Sequence, residues 1–196
     1  RTIHPMISIL SGSSRKNSNT LRVAKAIQKQ LLSKQQESIV IDFHGYDIPN
    51  FNQENMNNNE LSEWMSRVQH AMSHSELIFV LSPEYNWLPS AEMIQFINQT
   101  TSSHFGTMWE NKTFAIVGTS SGRGGRLPAI HLSNAINKII SVFNYHSIVS
   151  AKIFESQFTP NALDENGNSI GNSEYDKGLT QFVDYSLSIS HRFSKK

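Results

Sequence analysis

The sequence predicts an α/β protein built as a doubly wound, five-stranded parallel sheet with helices on both faces. Three observations carry that expectation. Short apolar runs rich in β-branched residues alternate along the chain with segments of helical spacing. Two of the runs, Leu77-Ile78-Phe79-Val80-Leu81 and Phe114-Ala115-Ile116-Val117, read as buried strands. Three polar or glycine-rich loops, 11–18, 83–87 and 119–126, follow strand ends, the edge at which such sheets hold a ligand.

Taken in order, residues 3–10 supply the first strand through Ile3, Met6, Ile7, Ile9 and Leu10, with regular pairing placed after Pro5. Loop 11–17 leads into a helix reaching about Ser33, N-capped by Ser18 or Asn17, with Leu21, Ala24, Ile27 and Leu31 at helical spacing. Residues 38–43 form the second strand. Gly45, Pro49 and the Asn-rich run around Met56 make 44–59 a long surface loop. Leu61, Trp64, Met65, Val68 and Met72 mark a helix over 60–75, and 76–82 is the third strand. After the turn Pro83-Glu84-Tyr85-Asn86, Pro89 is expected in the first turn of a helix running to about Thr101. Residues 112–118 form the fourth strand, and a long helix runs from about Pro128 to Phe143. Residues 146–154 form the fifth strand, 160–173 a loop, and Tyr175, Leu179, Phe182, Val183, Ser186 and Ile189 a last helix.

Composition narrows the function classes. A chain of 196 residues is expected to form a single domain over 1–196 with a substantial core. A net charge of +1 offers no basis for a nucleic-acid partner. With no Cys, a disulfide framework, a thiolate zinc site and a Cys nucleophile are all excluded. No apolar run approaches the ~20 residues that span a bilayer. No membrane partner is therefore expected, and without a signal-peptide core near the start the expected location is cytoplasmic. The eight His residues are scattered without ligand spacing, so no metal site is assigned. Nothing demands a general acid or base, and no catalytic residue is assigned.

Each loop has two readings. Loop 11–18 reads as a well-capped helix start, or as an anion site in which hydroxyls, amides and Arg15 meet a helix N-terminus. It lacks both the G-x-G-x-x-G dinucleotide pattern and the G-x-x-x-x-G-K-[ST] phosphate loop, which favours a single phosphate monoester over a nucleoside triphosphate or a standard Rossmann dinucleotide. Loop 83–87 reads as an ordinary strand-to-helix connection, or as a platform where a flat ligand stacks beside Tyr85. Loop 119–126 reads as a linker, or as backbone that something approaches closely. Arg123 and Arg126 are either solvated or aimed at a second anion.

Together the loops resemble the NAD(P)H-dependent FMN reductase family of the flavodoxin-like superfamily. Gly12-Ser13-Ser14-Arg15-Lys16-Asn17-Ser18-Asn19-Thr20 resembles its G-S-x-R-x-x-S-x-N phosphate loop, with Thr20 where the family often has Asn. Pro83-Glu84-Tyr85-Asn86 matches its P-E-Y-N loop, and Thr119-Ser120-Ser121-Gly122-Arg123-Gly124-Gly125 is similar to its S-x-G-x-x-G-G loop. The chain departs from the pattern in two places. The 86–89 segment is one residue shorter, with Trp87 where a small or polar residue is usual, and Glu92-Met93-Ile94 replaces a Lys-Asn pair.

The resemblance implies a flavodoxin-like fold and an FMN-dependent oxidoreductase. Hydride would come from NADPH or NADH, and electrons would pass to a quinone, azo compound, metal ion or free flavin. It implies that Ser13, Arg15, Ser18, Asn19 and Thr20 hold the FMN phosphate. Pro83, Glu84, Tyr85 and Asn86 would line the isoalloxazine, with Ser120, Gly122 and Gly124 contacting it from the third loop. A homodimer or homotetramer is implied, with a neighbouring chain covering the flavin through the 44–59 loop or the helix after Pro89. The alternative is a flavin-binding electron carrier, or a regulatory relative without nicotinamide-dependent activity; the near-neutral charge argues against a flavodoxin-type carrier.

Overall fold

The computed structural model describes residues 6–49, 56 and 60–194. The expected beginning of the first strand at Ile3 and most of the Asn-rich run lie outside the described residues. The strands are β1 (Met6–Ser11), β2 (Ser38–Asp42), β3 (Ser75–Pro83), β4 (Thr113–Thr119), β5 (Ile148–Val149) and β6 (Phe154–Ser156). The helices are α1 (Asn19–Ser33), α2 (Glu63–Ser73), α3 (Ala91–Thr100), α4 (Gly106–Trp109), α5 (Arg126–Phe143) and α6 (Ser173–Ser194). All strand pairs are parallel, in the order β2-β1-β3-β4-β5, with β6 on the same outer edge of β4 as β5.

The period-2 alternation of side chains sorts the apolar strands between two cores. Ile7, Ile9, Leu77, Phe79, Leu81, Ala115 and Val117 pack with α1 and α6. Leu10, Ile78, Val80, Phe114 and Ile116 pack with α2, α3, α4 and α5. Each fully buried Ile, Leu or Phe contributes about 1.5–3 kcal/mol relative to exposure, so β3 and β4, buried on both faces, anchor the sheet.

The fifth strand differs from expectation. Residues 146–154 do not pair continuously; Ile148–Val149 bonds the first half of β4, and Phe154–Ser156 bonds its last three residues. Pro89 also lies outside its helix. Ser90 is the N-cap of α3, its hydroxyl accepting the Met93 N–H at 3.2 Å. α5 starts at Arg126, two residues before Pro128. Among the described residues no helix is long and apolar enough to cross a membrane.

Candidate cofactor site

The carboxyl ends of β1, β3 and β4 deliver the three loops to one edge. Between them lies a pocket of about 260 Å³, lined by Ser13, Arg15, Lys16, Asn17, Ser18, Asn19, Thr20, Pro83, Glu84, Tyr85, Thr119, Ser120 and Ser121. Of the residues expected there, Asn86, Gly122 and Gly124 do not line it.

The first loop is shaped by local chemistry. Asn17 takes a left-handed φ of 51°, which turns the chain into α1. Ser18 caps the helix, its hydroxyl accepting the Leu21 N–H at 3.1 Å. The N–H groups of Asn19 and Thr20, in the first turn, find no acceptor among the described residues. Ser14 Oγ donates to Glu92 Oε1 at 2.7 Å and Ser90 Oγ to the Gly12 carbonyl at 2.5 Å. Glu92, one of the departures from the family pattern, thus ties the phosphate-type loop to the first turn of α3.

The second loop closes on the first. Tyr85 OH lies 3.3 Å from Ser13 Oγ, and the Arg15 guanidinium sits over the Tyr85 ring at 4.9 Å. Among the described residues no carboxylate pairs with Arg15. Tyr85 and Leu88 exchange backbone hydrogen bonds of 3.0 Å in each direction. Asn86 and Trp87 between them take φ of 53° and 68°, as a type I′ hairpin turn requires.

The third loop folds back over the end of β4, and glycine permits it. A Cβ on Gly118 would stand 1.7 Å from the Gly125 carbonyl oxygen. Gly125, at φ 98°, is the N-cap of α5 and has no side chain to cap it. The Glu84 carboxylate does that from the neighbouring loop, Oε2 accepting the Gly125 N–H at 2.5 Å. A Cβ on Gly124 would fall 2.6 Å from Glu84 Oε1. Glu84, expected to line the ring mostly through its backbone, therefore joins two of the loops through its carboxylate. Thr20 Oγ1 and Thr119 Oγ1, both buried, meet at 2.8 Å and join the first loop to the third.

Sequence reasoning missed Lys16, Asn17, Thr119 and Ser121 as lining residues. Lys16 carried a usable signal, a second cation beside Arg15. A larger omission is the segment after β6. The Ser120 N–H bonds the Ser156 carbonyl at 2.8 Å, the Phe158 N–H bonds the Gly122 carbonyl at 2.8 Å, and the Thr159 N–H bonds the Ser120 carbonyl at 3.1 Å. Behind these contacts Tyr175 OH lies 2.7 Å from Ser156 Oγ, itself 2.7 Å from Thr159 Oγ1, which donates to the Ser120 carbonyl at 3.0 Å. Burial pushes the Tyr175 phenol up to about 12, keeping it a neutral member of this chain. Helical spacing placed Tyr175 on the last helix, but no motif announces that it and these residues support the third loop.

The pocket's donor set fits one phosphate. It combines free first-turn amides, the helix dipole, several hydroxyls and an unpaired guanidinium, with Tyr85 and the third loop beside it.

Comparison with known proteins bears on the same point. A family profile described as NADPH-dependent FMN reductase matches residues 5–154. Among solved structures, the chain is similar to FerB, a flavoenzyme NAD(P)H:(acceptor) oxidoreductase from Paracoccus denitrificans, at 21% identity and a TM-score of 0.77, covering 97% of this chain and 99% of that one. It is similar to an NADH:FMN oxidoreductase (EMOB) in its apo form at 15% identity and a TM-score of 0.64, covering 94% and 90%. A WrbA-like flavodoxin from Agrobacterium tumefaciens is similar at 13% identity and a TM-score of 0.61, covering 97% and 100%. These structural likenesses show the flavodoxin-like fold. No curated protein matches the sequence. The profile match spans most of the chain and all three loops, and the protein belongs to the NADPH-dependent FMN reductase family, oxidoreductases that work with FMN and NADPH.

Proposed function

We propose that this protein takes hydride from NADPH or NADH and passes the electrons to a small-molecule acceptor: a quinone, azo compound, metal ion or free flavin. The observation that carries the reading is the donor set at the start of α1, beside Tyr85 and the third loop. Ser13, Arg15, Ser18, Asn19 and Thr20 would hold the FMN phosphate. Pro83, Glu84, Tyr85 and Asn86 would line one side of the ring, and Ser120, Gly122 and Gly124 the other. Bound FMN supplies the hydride-accepting and electron-donating chemistry.

The chain's own residues bind and orient. With its carboxylate committed to Gly125, Glu84 acts at the ring through its backbone and by holding two loops at a fixed separation. Arg15 is restrained by Tyr85, which reduces the side-chain entropy lost when it meets a phosphate. No side chain is assigned as acid or base.

Oligomerisation and location belong to the same reading. The exposed Ile94 on α3 and Leu127 and Ile130 on α5 support a homodimer or homotetramer that covers the site. The expected setting is the cytoplasm, with 1–196 acting as one FMN-binding domain.

Titration of the apoprotein with FMN, followed by flavin fluorescence, tests the site. Arg15→Ala should weaken FMN by about 1.5–3 kcal/mol, roughly 10- to 150-fold, if the guanidinium makes a charge-assisted phosphate contact. Unchanged affinity removes Arg15 from the site. Anaerobic mixing of the FMN-loaded protein with NADPH tests the activity: rapid bleaching of the flavin supports the reductase, and no bleaching supports the electron carrier.

A further inference from the structure

The amino edge of the sheet, opposite the three loops, carries a pair of imidazoles that flavin chemistry does not use. His70 lies in the last turn of α2 and His74 is its C-cap, a spacing that puts both on one face of the helix. Both are exposed, and their ring centres stand 4.2 Å apart. The nine residues of β3 separate this pair from Glu84 by roughly 25–30 Å. Sequence reasoning, which found no ligand spacing among the eight His residues, missed this pair.

One ring is already set as a ligand. His74 Nδ1 lies 2.8 Å from the His70 carbonyl oxygen, and the His74 backbone N–H bonds the same oxygen at 3.2 Å. A carbonyl oxygen only accepts, so the neutral ring carries its proton on Nδ1 and keeps its lone pair on Nε2. A backbone carbonyl on the far nitrogen is a common way of orienting a metal-binding imidazole. His70, exposed at the helix surface, is free to turn a nitrogen toward the same point. The C-terminal end of α2 adds the negative end of the helix dipole, which favours a cation. Glu76 and Glu110, which share a cavity of about 690 Å³ with His74 and His146, draw cations to this edge. The amine of Lys112 in that cavity is turned to the Ser73 and Ser75 carbonyls.

Distance selects the metal. With metal–imidazole bonds of about 2.0–2.1 Å and a ring nitrogen about 1.1 Å from its ring centre, each centre stands about 3.2 Å from a bound ion. Two such rings at a right angle have centres about 4.5 Å apart, and at the tetrahedral angle about 5.2 Å. The observed 4.2 Å is close to the right-angle value and an ångström short of the tetrahedral one. Adjacent positions of a tetragonal ion match this spacing, and among divalent ions Cu²⁺ combines that geometry with the highest affinity for imidazole. Among the described residues no third His, Cys, Asp or Glu completes the group, so solvent fills the other positions. We propose that His70 and His74 form a two-imidazole site for a divalent transition-metal ion, filled best by Cu²⁺, on the edge of the sheet away from the flavin. The inference is independent of the oxidoreductase reading.

The test titrates the purified full chain with Cu²⁺, using glycine as a competing ligand, and follows heat and the copper electron paramagnetic resonance spectrum. Wild type should bind one equivalent more tightly than the rest, with the splitting of two coordinated nitrogens. His70→Gln and His74→Gln should each weaken that equivalent at least about tenfold, because a second imidazole already within reach adds affinity without a new encounter. The double variant should fall no more than about twofold below the weaker single, since either change alone ends chelation. His146→Gln, across the cavity, should stay within about twofold of wild type. In amide spectra of wild type, Cu²⁺ should broaden signals around His70 and His74 first, a readout that needs no variant to fold. Unchanged affinity in either single variant, or broadening centred elsewhere, overturns the proposal. So does an equal loss in His146→Gln, which would move the ion into the cavity. Zn²⁺ binding more tightly than Cu²⁺ would overturn the assigned geometry.

Discussion

The buried contact between Thr20 and Thr119 permits a sharp energetic test of how the first and third loops are held together. The hydroxyls are 2.8 Å apart, and the residues are 0% and 1% exposed. Changing Thr20 to Val preserves shape and β-branching but strands the Thr119 hydroxyl without its partner. An orphaned buried hydroxyl costs about 1–3 kcal/mol, several times the error of a denaturation midpoint. Thr119→Val should cost the same for the reciprocal reason. The double variant removes both hydroxyls and leaves two methyl groups in contact, so its stability should return to within about 1 kcal/mol of wild type. Urea unfolding of the apoprotein completes the cycle, with an expected coupling of about 1–3 kcal/mol. Single-variant losses that sum to the double within ~0.5 kcal/mol would refute the reasoning and show that the two loops are held by other contacts. FMN titration of the double variant then isolates any contact between Thr20 and phosphate.

Two further outcomes follow from groups described above or just below the sheet. Glu84→Ala removes the acceptor at the start of α5 and should destabilise the protein by about 1–2 kcal/mol. Glu84→Gln, which keeps a carbonyl oxygen there, should cost less than half of that in the same urea assay. At the opposite edge, Lys112 is 5% exposed and donates to the Ser73 and Ser75 carbonyls at 3.0 and 2.7 Å. Burial lowers its pKa from 10.5 to about 8. Between those values the unfolded chain binds the proton and the folded chain does not, so this group adds stability as pH rises from 8 to 10.5. Subtracting the Lys112→Met stability curve from that of wild type isolates this rise, because losses above pH 10 from Tyr175 cancel. A flat difference would contradict the assigned shift.

The sheet was legible where burial is two-sided. Leu77–Leu81 and Phe114–Val117 are apolar at every position, and only a strand covered on both faces needs that. The fifth strand was misjudged as continuous because apolar content around Ile148 and Phe154 says nothing about residues 150–153 between them, which belong to neither strand. The donor groups of the first loop were legible because a helix start is local chemistry: Ser18 and the turn at Asn17 lie within three residues of the groups they serve. Glu84 was legible as a residue of the pocket lining, but its partner was not, since Gly125 lies 41 positions away. Thr119, Ser156 and Thr159 escaped notice for the same reason. Each gains its role from a contact across the sheet edge, which the residues around it do not encode.

The hydroxyl chain from Tyr175 to Ser120 has a consequence for engineering. The family match ends at residue 154, yet the props beneath the third loop are Ser156, Phe158, Thr159 and Tyr175. Sequence outside the shared motifs therefore governs how stiffly one wall of the site stands. Mutant libraries confined to 156–175 should retune turnover and acceptor preference while every motif residue stays in place.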